Sequence, residues 1–167
     1  YLGEELYDKC AQKYFEDWKF KHPYPEDIKK VYEEISGKDL SWFFDNMIPT
    51  TKQVDYKIGD LTPTLSKGEG AKQYVSWEVK VKNKGDINSP FSIAAMKDGK
   101  IISTQWHDGF AGKKKVNFSS SADFDHLKID AAQKMPDINR QNNTLKMKGL
   151  CKKSFHIKLI YSELENL

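Results

Sequence analysis

The residue types that most often do chemistry are present in this chain, but their spacing matches no zinc-site pattern. The four histidines are His22, His107, His126 and His156. No two of them lie four positions apart, the spacing that places two imidazoles on one helix face around zinc, and there is no H-E-x-x-H. We therefore expect each histidine to be an ordinary turn or strand residue.

The potential nucleophiles lack an activating context. Ser119 to Ser121 are not part of a G-x-S-x-G turn, and neither Cys10 nor Cys151 has a C-x-x-C neighbour. We expect two free thiols, with a disulfide between them as the alternative. The sequence thus predicts no catalytic residue, no cofactor-binding residue and no metal ligand in this chain.

Two charged stretches leave a choice between binding and simple solvation. Asp123, Asp125, Asp130 and Asp137 supply carboxylates that a calcium ion would accept, but Asp123 and Asp125 alternate as at a strand entrance and are expected to be solvated. Lys113 to Lys115 is typical of a solvated strand end, with contact to an anionic surface as the alternative.

One polar loop, Pro136 to Asn143, reads P-D-I-N-R-Q-N-N. Asp and Asn side chains accept hydrogen bonds from their own backbone, so the loop is expected to form Asx turns that rigidify a long connection. In the alternative interpretation, Arg140 and the asparagines face a cleft or a partner domain.

The elements that must position these residues begin with helices. Apolar residues recur at helical spacing from Leu2 to Trp18, and a second helix is expected from Pro25 to a stop at Gly37. Asp39 is the expected N-cap of a third helix, which Pro49 ends. The second helix has a predicted buried face of Ile28, Val31, Tyr32 and Ile35. The apolar stripe of the first helix comprises Leu2, Leu6, Cys10, Ala11, Tyr14, Phe15 and Trp18, and that of the third Leu40, Phe43, Phe44 and Met47. Three short helices this rich in aromatics need a further surface to pack on.

After about Gln53 the pattern changes to strand-like alternation, which predicts a helical segment at 1–52 and a second domain at 53–167. Asp98-Gly99 suits a tight hairpin turn. About seven short strands predict an α+β chain whose second part is an antiparallel immunoglobulin-like β-sandwich. The predicted strands are Val54–Leu61, Tyr74–Lys82, Phe91–Met96, Lys100–Trp106, Lys115–Ser119, Phe124–Asp130 and Phe155–Tyr161.

The amino-acid composition limits the classes of partner that this chain could bind. The 167 residues include 27 basic and 24 acidic side chains, and Arg140 is the single arginine. This balance disfavours nucleic acid, whose phosphates select arginine or a dense basic stripe. No stretch approaches the roughly 20 apolar residues of a membrane span. The chain opens at Tyr1 without Met, so we expect the natural protein to begin upstream.

Two motifs resemble a known family. The segment Trp18–Asp27, W-K-F-K-H-P-Y-P-E-D, and the segment Ser36–Phe44, S-G-K-D-L-S-W-F-F, resemble the end of the catalytic domain in gluzincin zinc aminopeptidases, the family of membrane alanyl aminopeptidase and leukotriene hydrolase. Thr50-Thr51, Asp55-Tyr56 and the later P-D-I-N-R-x-N-N loop resemble the Bacteroidetes-type branch. The similarity is densest over residues 1 to 56.

This resemblance implies a parent enzyme that removes N-terminal residues from peptides. In the family, two His and one Glu hold zinc, a second Glu is the general base and a Tyr stabilises the oxyanion. None of these positions falls within this chain; Tyr1 begins Y-L-G-E-E, which resembles the stretch just after the catalytic Tyr. The chain is thus expected to be a scaffold that packs on the upstream catalytic domain, or on a second copy when alone. The resemblance favours a periplasmic or secreted protein.

Two other functions stay open. In the first, the sandwich is a binding module for protein, peptide or glycan that uses Trp77, Trp106 or the asparagine-rich loop. Trp77 shares the alternation of Val75, Val79 and Val81 and should lie in the core, whereas Trp106, beside His107-Asp108-Gly109, is the better candidate for exposure, although a core or strand-end position is favoured for it too. In the second, the parent has lost its zinc motif and is a scaffold only.

Overall fold

A computed structural model describes residues 1–66, 74–120 and 122–147. The chain forms two compact units, Tyr1–Lys52 and Gln53–Leu167. The fold is α+β, with a short helical segment followed by an antiparallel immunoglobulin-like β-sandwich. The predicted strand Phe155–Tyr161, together with Cys151 and His156, lies outside the described residues.

The first two predicted helices are present. Helix α1 spans Glu4–Trp18 and helix α2 spans Pro25–Ser36. Proline suits the first turn because that turn needs no backbone donor there, and the Asp27 carboxylate accepts the backbone N–H of Tyr24 at 2.8 Å. Gly37 ends α2 in the left-handed region at φ 64°, as the sequence predicted.

The third helix differs from its prediction. It is a single π-helical stretch, Trp42–Met47, with Ser41 rather than Asp39 at its N-cap. Asp39 instead accepts the Ser41 N–H at 2.8 Å in a local turn, and the Leu40 N–H is taken by the Glu33 carboxylate at 2.8 Å. Asp39 is therefore not the N-cap residue of the π-helix, although its carboxylate accepts the backbone N–H two residues on, as a capping side chain does.

A small apolar cluster holds the helical unit together. Its buried members are Cys10, Tyr32 and Leu40, and partly buried residues pack against them. Tyr32 meets Phe44 edge to face, with ring centroids 6.4 Å apart. The prediction that Ile35 lies on the buried face of α2 is wrong, since the structure leaves it exposed, and Phe15 and Phe43 of the other two apolar stripes are exposed as well.

In the part of the sandwich that the structure describes, the strands form two antiparallel sheets. Its strands are β1 Tyr56–Ser66, β2 Tyr74–Asn83, β3 Phe91–Lys97, β4 Lys100–His107, β5 Lys113–Ser119, β6 His126–Ile129 and β7 Thr144–Lys146. One sheet has the order β1-β2-β5 and the other β4-β3-β6-β7. Stacking of Tyr56 on Phe91, with centroids 4.6 Å apart, joins the inner faces of the two sheets.

Most strand predictions are confirmed, and the turn between β3 and β4 is too. Asp98 and Gly99 have φ of 49° and 76°, the positive values that a tight hairpin turn requires. The first strand starts later than predicted because Val54 forms an isolated parallel bridge with Asp137. Strand β6 ends at Ile129 because Asp130 turns into the left-handed region at φ 47°. Strand β7 is absent from the sequence prediction.

Candidate functional site

The described histidines do not converge. His22 is exposed in the turn between α1 and α2, and His107 and His126 lie on β4 and β6. The His126 Nδ1 contacts the Asp125 carboxylate. Over residues 1–66, 74–120 and 122–147, no three His, Cys, Asp or Glu side chains are grouped as a metal site would need.

His107 is the histidine with the most distinctive surroundings. Its ring stacks on Phe91 with centroids 5.4 Å apart, and its Nε2 is buried without a hydrogen-bond partner among the described residues. Burial lowers the pKa of His107 from its ordinary 6.5, because the charged imidazolium loses its water. This imidazole is therefore a packing residue that resists protonation.

The sandwich should consequently lose stability in acid. Since the pKa of His107 is lower in the folded state than in the unfolded chain, the unfolded state binds more protons below pH 6.5. The contribution of neutral His107 to the free energy of unfolding is fully present above pH 6.5 and is lost as the pH falls through the folded-state pKa. We expect His107→Phe to reduce this loss in urea unfolding measured on both sides of pH 6.5. His22→Gln, which removes an exposed imidazole, is the control, and parallel profiles for wild type and His107→Phe would contradict the prediction.

The four aspartates with carboxylates suited to calcium serve separate structural contacts. Asp123 accepts the Lys97 ammonium at 2.9 Å, and it lies with Asp125 just before β6, as predicted. Asp130 is buried, and its two oxygens accept the backbone N–H groups of Lys134 and Met135, each at 2.9 Å. These carboxylates stabilise turns rather than converge on one point.

The Pro136 to Asn143 loop is fixed to the start of β1. The Asp137 carboxylate accepts the N–H of Tyr56 at 3.0 Å and that of Asn139 at 2.8 Å. The Asn142 side chain donates to the Asp55 carboxylate at 2.9 Å. This is the Asx-turn network that the sequence predicted, and its residues Asp55 and Asp137 are both buried.

Arg140, the arginine of that loop, is exposed and donates to the Gln133 side-chain oxygen at 3.1 Å. The bond stays within the connection between β6 and β7. Arg140 therefore stabilises its own loop, and its remaining donors face solvent.

Two of the candidate nucleophiles, Cys10 and Ser120, are buried in structural contacts. Cys10 is a buried free thiol whose Sγ lies 3.9 Å from the Tyr32 carbonyl, and burial raises the pKa of this thiol. Ser120 is buried, and its hydroxyl donates to the Ala122 carbonyl at 2.8 Å. Ser119 is exposed, and only its backbone N–H is bonded, to the Gln105 side chain at 3.1 Å. Ser121 lies outside the described residues.

The two sandwich tryptophans differ as predicted. Trp77 on β2 is 0% exposed and meets Phe124 edge to face at 5.8 Å. Trp106 on the outer strand β4 is 38% exposed and lies opposite Ser92 of β3. Of the two, only Trp106 offers ring surface to a ligand.

The helical unit exposes an unusual amount of aromatic surface. Phe15, Phe20 and Tyr24 are 66%, 101% and 74% exposed. Tyr7 and Ile48 are exposed as well. Several large apolar side chains exposed within one small unit are typical of a surface that another part of a protein covers.

A second unusual surface lies on the outer face of the β1-β2-β5 sheet. Lys57 pairs with Lys82 across the first two strands, and Lys82 pairs in turn with Lys113 of β5. Two residues further along the same strands, and on the same face, Lys80 pairs with Lys115. We call these five lysines the lysine face. The run Lys113 to Lys115 is evident in the sequence, but this alignment is not, because it depends on the strand register.

Comparison with known proteins leaves the family open. No protein-family model matches the chain. No curated protein matches it either. Among solved structures it is similar to the CARDB domain of the PF1109 protein of Pyrococcus furiosus, a domain described in complex with di-metal ions. The two share 17% identity over 57% of this chain and 90% of that one, with a TM-score of 0.39, a likeness too low to carry an argument. In the described part of the chain, no helix combines the length and apolar character that crossing a bilayer would demand.

Proposed function

We propose that this chain is the non-catalytic segment that follows the active site in a zinc-dependent aminopeptidase of the gluzincin family. Its parent removes N-terminal residues from peptides. The helical unit completes the catalytic domain, and the sandwich supports the region after it. The observation that carries the proposal is the exposed aromatic surface of a helical unit whose sequence resembles the end of that catalytic domain.

The residues that carry the resemblance have packing roles in the helical unit. Trp42 meets Phe43 at 5.5 Å, and Phe43 meets Phe44 at 5.1 Å, both edge to face. Tyr1 meets Trp42 at 6.2 Å. These contacts form an aromatic cluster at the π-helix, which fits a structural rather than a catalytic role.

The exposed side chains of the same unit carry an energetic cost. Each fully buried Phe or Tyr side chain contributes about 1.5–3 kcal/mol relative to exposure, so Phe15 and Phe20 forgo most of that stabilisation. A catalytic domain packed on them would recover it. This energetic argument supports a covering partner, and the sequence resemblance is what makes the upstream domain the proposed one.

The described residues do not fit a zinc ion, because no three ligand-type side chains are grouped among them. No step of the peptidase reaction is therefore assigned to them. In the proposed parent, the zinc, its ligands, the general base and the oxyanion-binding tyrosine all belong to the preceding domain.

The proposal is tested by obtaining the coding sequence upstream of Tyr1 and searching it for H-E-x-x-H, a later Glu and a Tyr. If these are present, the long form should hydrolyse aminoacyl anilides in a zinc-dependent manner, while the 167-residue chain should not. An upstream sequence without the motif, or a native start near Tyr1, would refute the enzyme assignment.

A surface variant tests the packing role separately. Phe15→Ser with Phe20→Ser should lower the melting temperature of the long form, because both side chains would be buried there, and leave the 167-residue chain nearly unchanged. Gln12→Ser with Lys19→Ser changes exposed polar positions on the same helix and its end and serves as the matched control. Equal effects of the phenylalanine variant on both forms would contradict the role.

The partial exposure of Trp106 favours a second candidate function, a binding module for a peptide or glycan. In that case a ligand should quench Trp106 fluorescence, and Trp106→Phe should remove the quenching. Absence of quenching by a panel of peptides and oligosaccharides would exclude this function for them.

A further inference from the structure

The lysine face places like charges directly opposite one another. Residues opposite each other in an antiparallel pair have Cβ atoms roughly 4.5–5.5 Å apart, and like charges at such positions destabilise a sheet. Lys57, Lys82 and Lys113 form an unbroken row of this kind across all three strands. The repulsion within this row lowers the stability of the sheet, so we looked for a function that the row could serve.

Neighbouring carboxylates offset only part of the charge. Lys80 pairs with Asp60 at 3.0 Å, and Lys115 pairs with Glu78 at 2.7 Å. Among the described residues, no carboxylate forms a salt bridge with the three lysines of the continuous row. The positive charge of the chain is concentrated in the unit that contains this face. Residues 53–167 hold 19 basic and 13 acidic side chains, a formal charge of +6.

The lysine face contains a shallow depression of about 500 Å³. The lysine side chains surround it, and Gly59 and Asp60, at a β-bulge of β1, line it as well. Gly59 packs closely on β2, where an added Cβ would lie 3.2 Å from the Lys80 carbonyl oxygen. A bare backbone at this point leaves room between the lysine side chains.

The chemistry of the lining restricts the occupant. Among the residues that the structure describes, no arginine and no aromatic ring lines the depression. Single-stranded nucleic acid uses aromatic stacking, and phosphate recognition favours the planar arginine fork. A continuous anionic plane such as a bilayer would meet the carboxylates of Asp60 and Glu78 on the same face. A narrow, flexible chain of carboxylates needs neither arginine nor aromatic rings, and unlike a plane it can bind mainly at the Lys57, Lys82 and Lys113 row, away from Asp60 and Glu78.

The spacing matches such a chain. Alternate residues of an extended strand lie roughly 6.6–6.8 Å apart on one side, so the two lysine rows are separated by this distance. An extended peptide with Asp or Glu at alternate positions presents carboxylates at the same interval. Laid along the strands, it would place one carboxylate over the row of Lys57, Lys82 and Lys113 and the next over Lys80 and Lys115, where it would share the ammonium groups with Asp60 and Glu78.

We propose that the lysine face is a docking surface for an extended acidic peptide segment. Recognition is by charge, with the Lys57, Lys82 and Lys113 row supplying three ammonium groups that lack a carboxylate partner among the described residues. The surface lies wholly within the sandwich and does not depend on the proposed aminopeptidase parent.

Fluorescence anisotropy with a labelled peptide of alternating Glu and Ser tests the proposal. The 167-residue chain should bind it with an affinity that falls steeply with added salt, and should not bind the alternating Gln and Ser peptide. In the Lys57→Gln, Lys82→Gln and Lys113→Gln triple variant, the affinity should fall roughly tenfold or more, since three exposed charge pairs are lost together.

The matched control removes three exposed lysines elsewhere in the sandwich, as Lys100→Gln, Lys134→Gln and Lys146→Gln. It should bind the acidic peptide within about twofold of wild type, because contacts at the lysine face are unchanged. Equal weakening in both triple variants would overturn the proposal in favour of non-specific charge attraction. So would binding to phosphatidylserine vesicles or duplex DNA without binding to the peptide.

A thermal melt separates lost binding from lost folding. Removing the like-charge row should raise the melting temperature of the lysine-face variant without ligand, whereas the control triple variant should show no such rise. A lysine-face variant that melts at a lower temperature than wild type would contradict the repulsion on which the proposal rests.

Discussion

Asn83→Ala is expected to lower the free energy of unfolding by roughly 2–4 kcal/mol, since each lost buried hydrogen bond costs about 0.5–1.5 kcal/mol. Asn83 is 5% exposed at the end of β2. Its Nδ2 donates to the carbonyls of Ile87 at 3.0 Å and Phe110 at 2.8 Å, and its Oδ1 accepts the Gly85 N–H at 2.9 Å. One side chain thus fixes two connections at one end of the sandwich.

Urea unfolding at neutral pH measures this loss. Asn117→Ala, which removes an exposed asparagine from β5, is the matched control and should stay within about 0.5 kcal/mol of wild type. If Asn83→Ala were as stable as Asn117→Ala, the hydrogen bonds of Asn83 would contribute nothing beyond what water supplies, and its role in fixing the two connections would be wrong.

Trp77→Ala is expected to cost about 3–5 kcal/mol, the usual range for removing a large aromatic side chain from a core. Trp77 is fully buried, and its ring meets Phe124 between the two sheets. The cavity left behind would be lined by side chains held by both sheets, so it cannot collapse easily. The variant should unfold at a clearly lower urea concentration.

The stability loss of Trp77→Ala should be compared with that of Trp106→Ala, the variant of the partly exposed tryptophan. Because Trp106 is 38% exposed, its removal should cost roughly half as much as that of Trp77. Equal losses would show that Trp106 is as much a core residue as Trp77 and would end its candidacy as a ligand-stacking surface. A negligible loss at Trp77 would contradict the described core.

The strands that the sequence predicted best are those with one wet and one dry face. In β2, Trp77, Val79 and Val81 are buried, and Lys80 and Lys82 are exposed, in the alternation that the sequence displays. A strand of this kind is predictable because each side chain must suit the face on which it lies. Strand β7 has no such pattern over its three residues, and it was missed.

The start of the third helix was predicted only in part. Asp39 accepts the Ser41 N–H as a capping side chain would, but the π-helix begins at Trp42, and the Leu40 N–H is taken by Glu33. Local propensity describes what Asp39 can do, but the arrival of Glu33 from α2 depends on how the chain folds back. Sequence spacing does not reveal that approach.

Within the candidate sites, too, the local contacts were predictable from the sequence and the long-range contacts were not. The Asx turns of the Pro136 to Asn143 loop were predictable, because Asp137 bonds the backbone two residues later. The bond from Asp137 to Tyr56 was not predictable, since it joins positions 81 residues apart. Likewise, the sequence shows the lysines of β2 and β5 as separate runs, and only the register aligns them.

The sequence by itself determined the α+β order of elements, the positions of most strands, the Asp98-Gly99 hairpin and the burial of Trp77. These features depend on local backbone preferences and on hydrophobic periodicity, which act within a few residues. The tertiary structure alone decided the continuous row of Lys57, Lys82 and Lys113. This row requires β1 and β5, which are distant in sequence, to pair on either side of β2 in one register, and the packing of the whole sheet fixes that register.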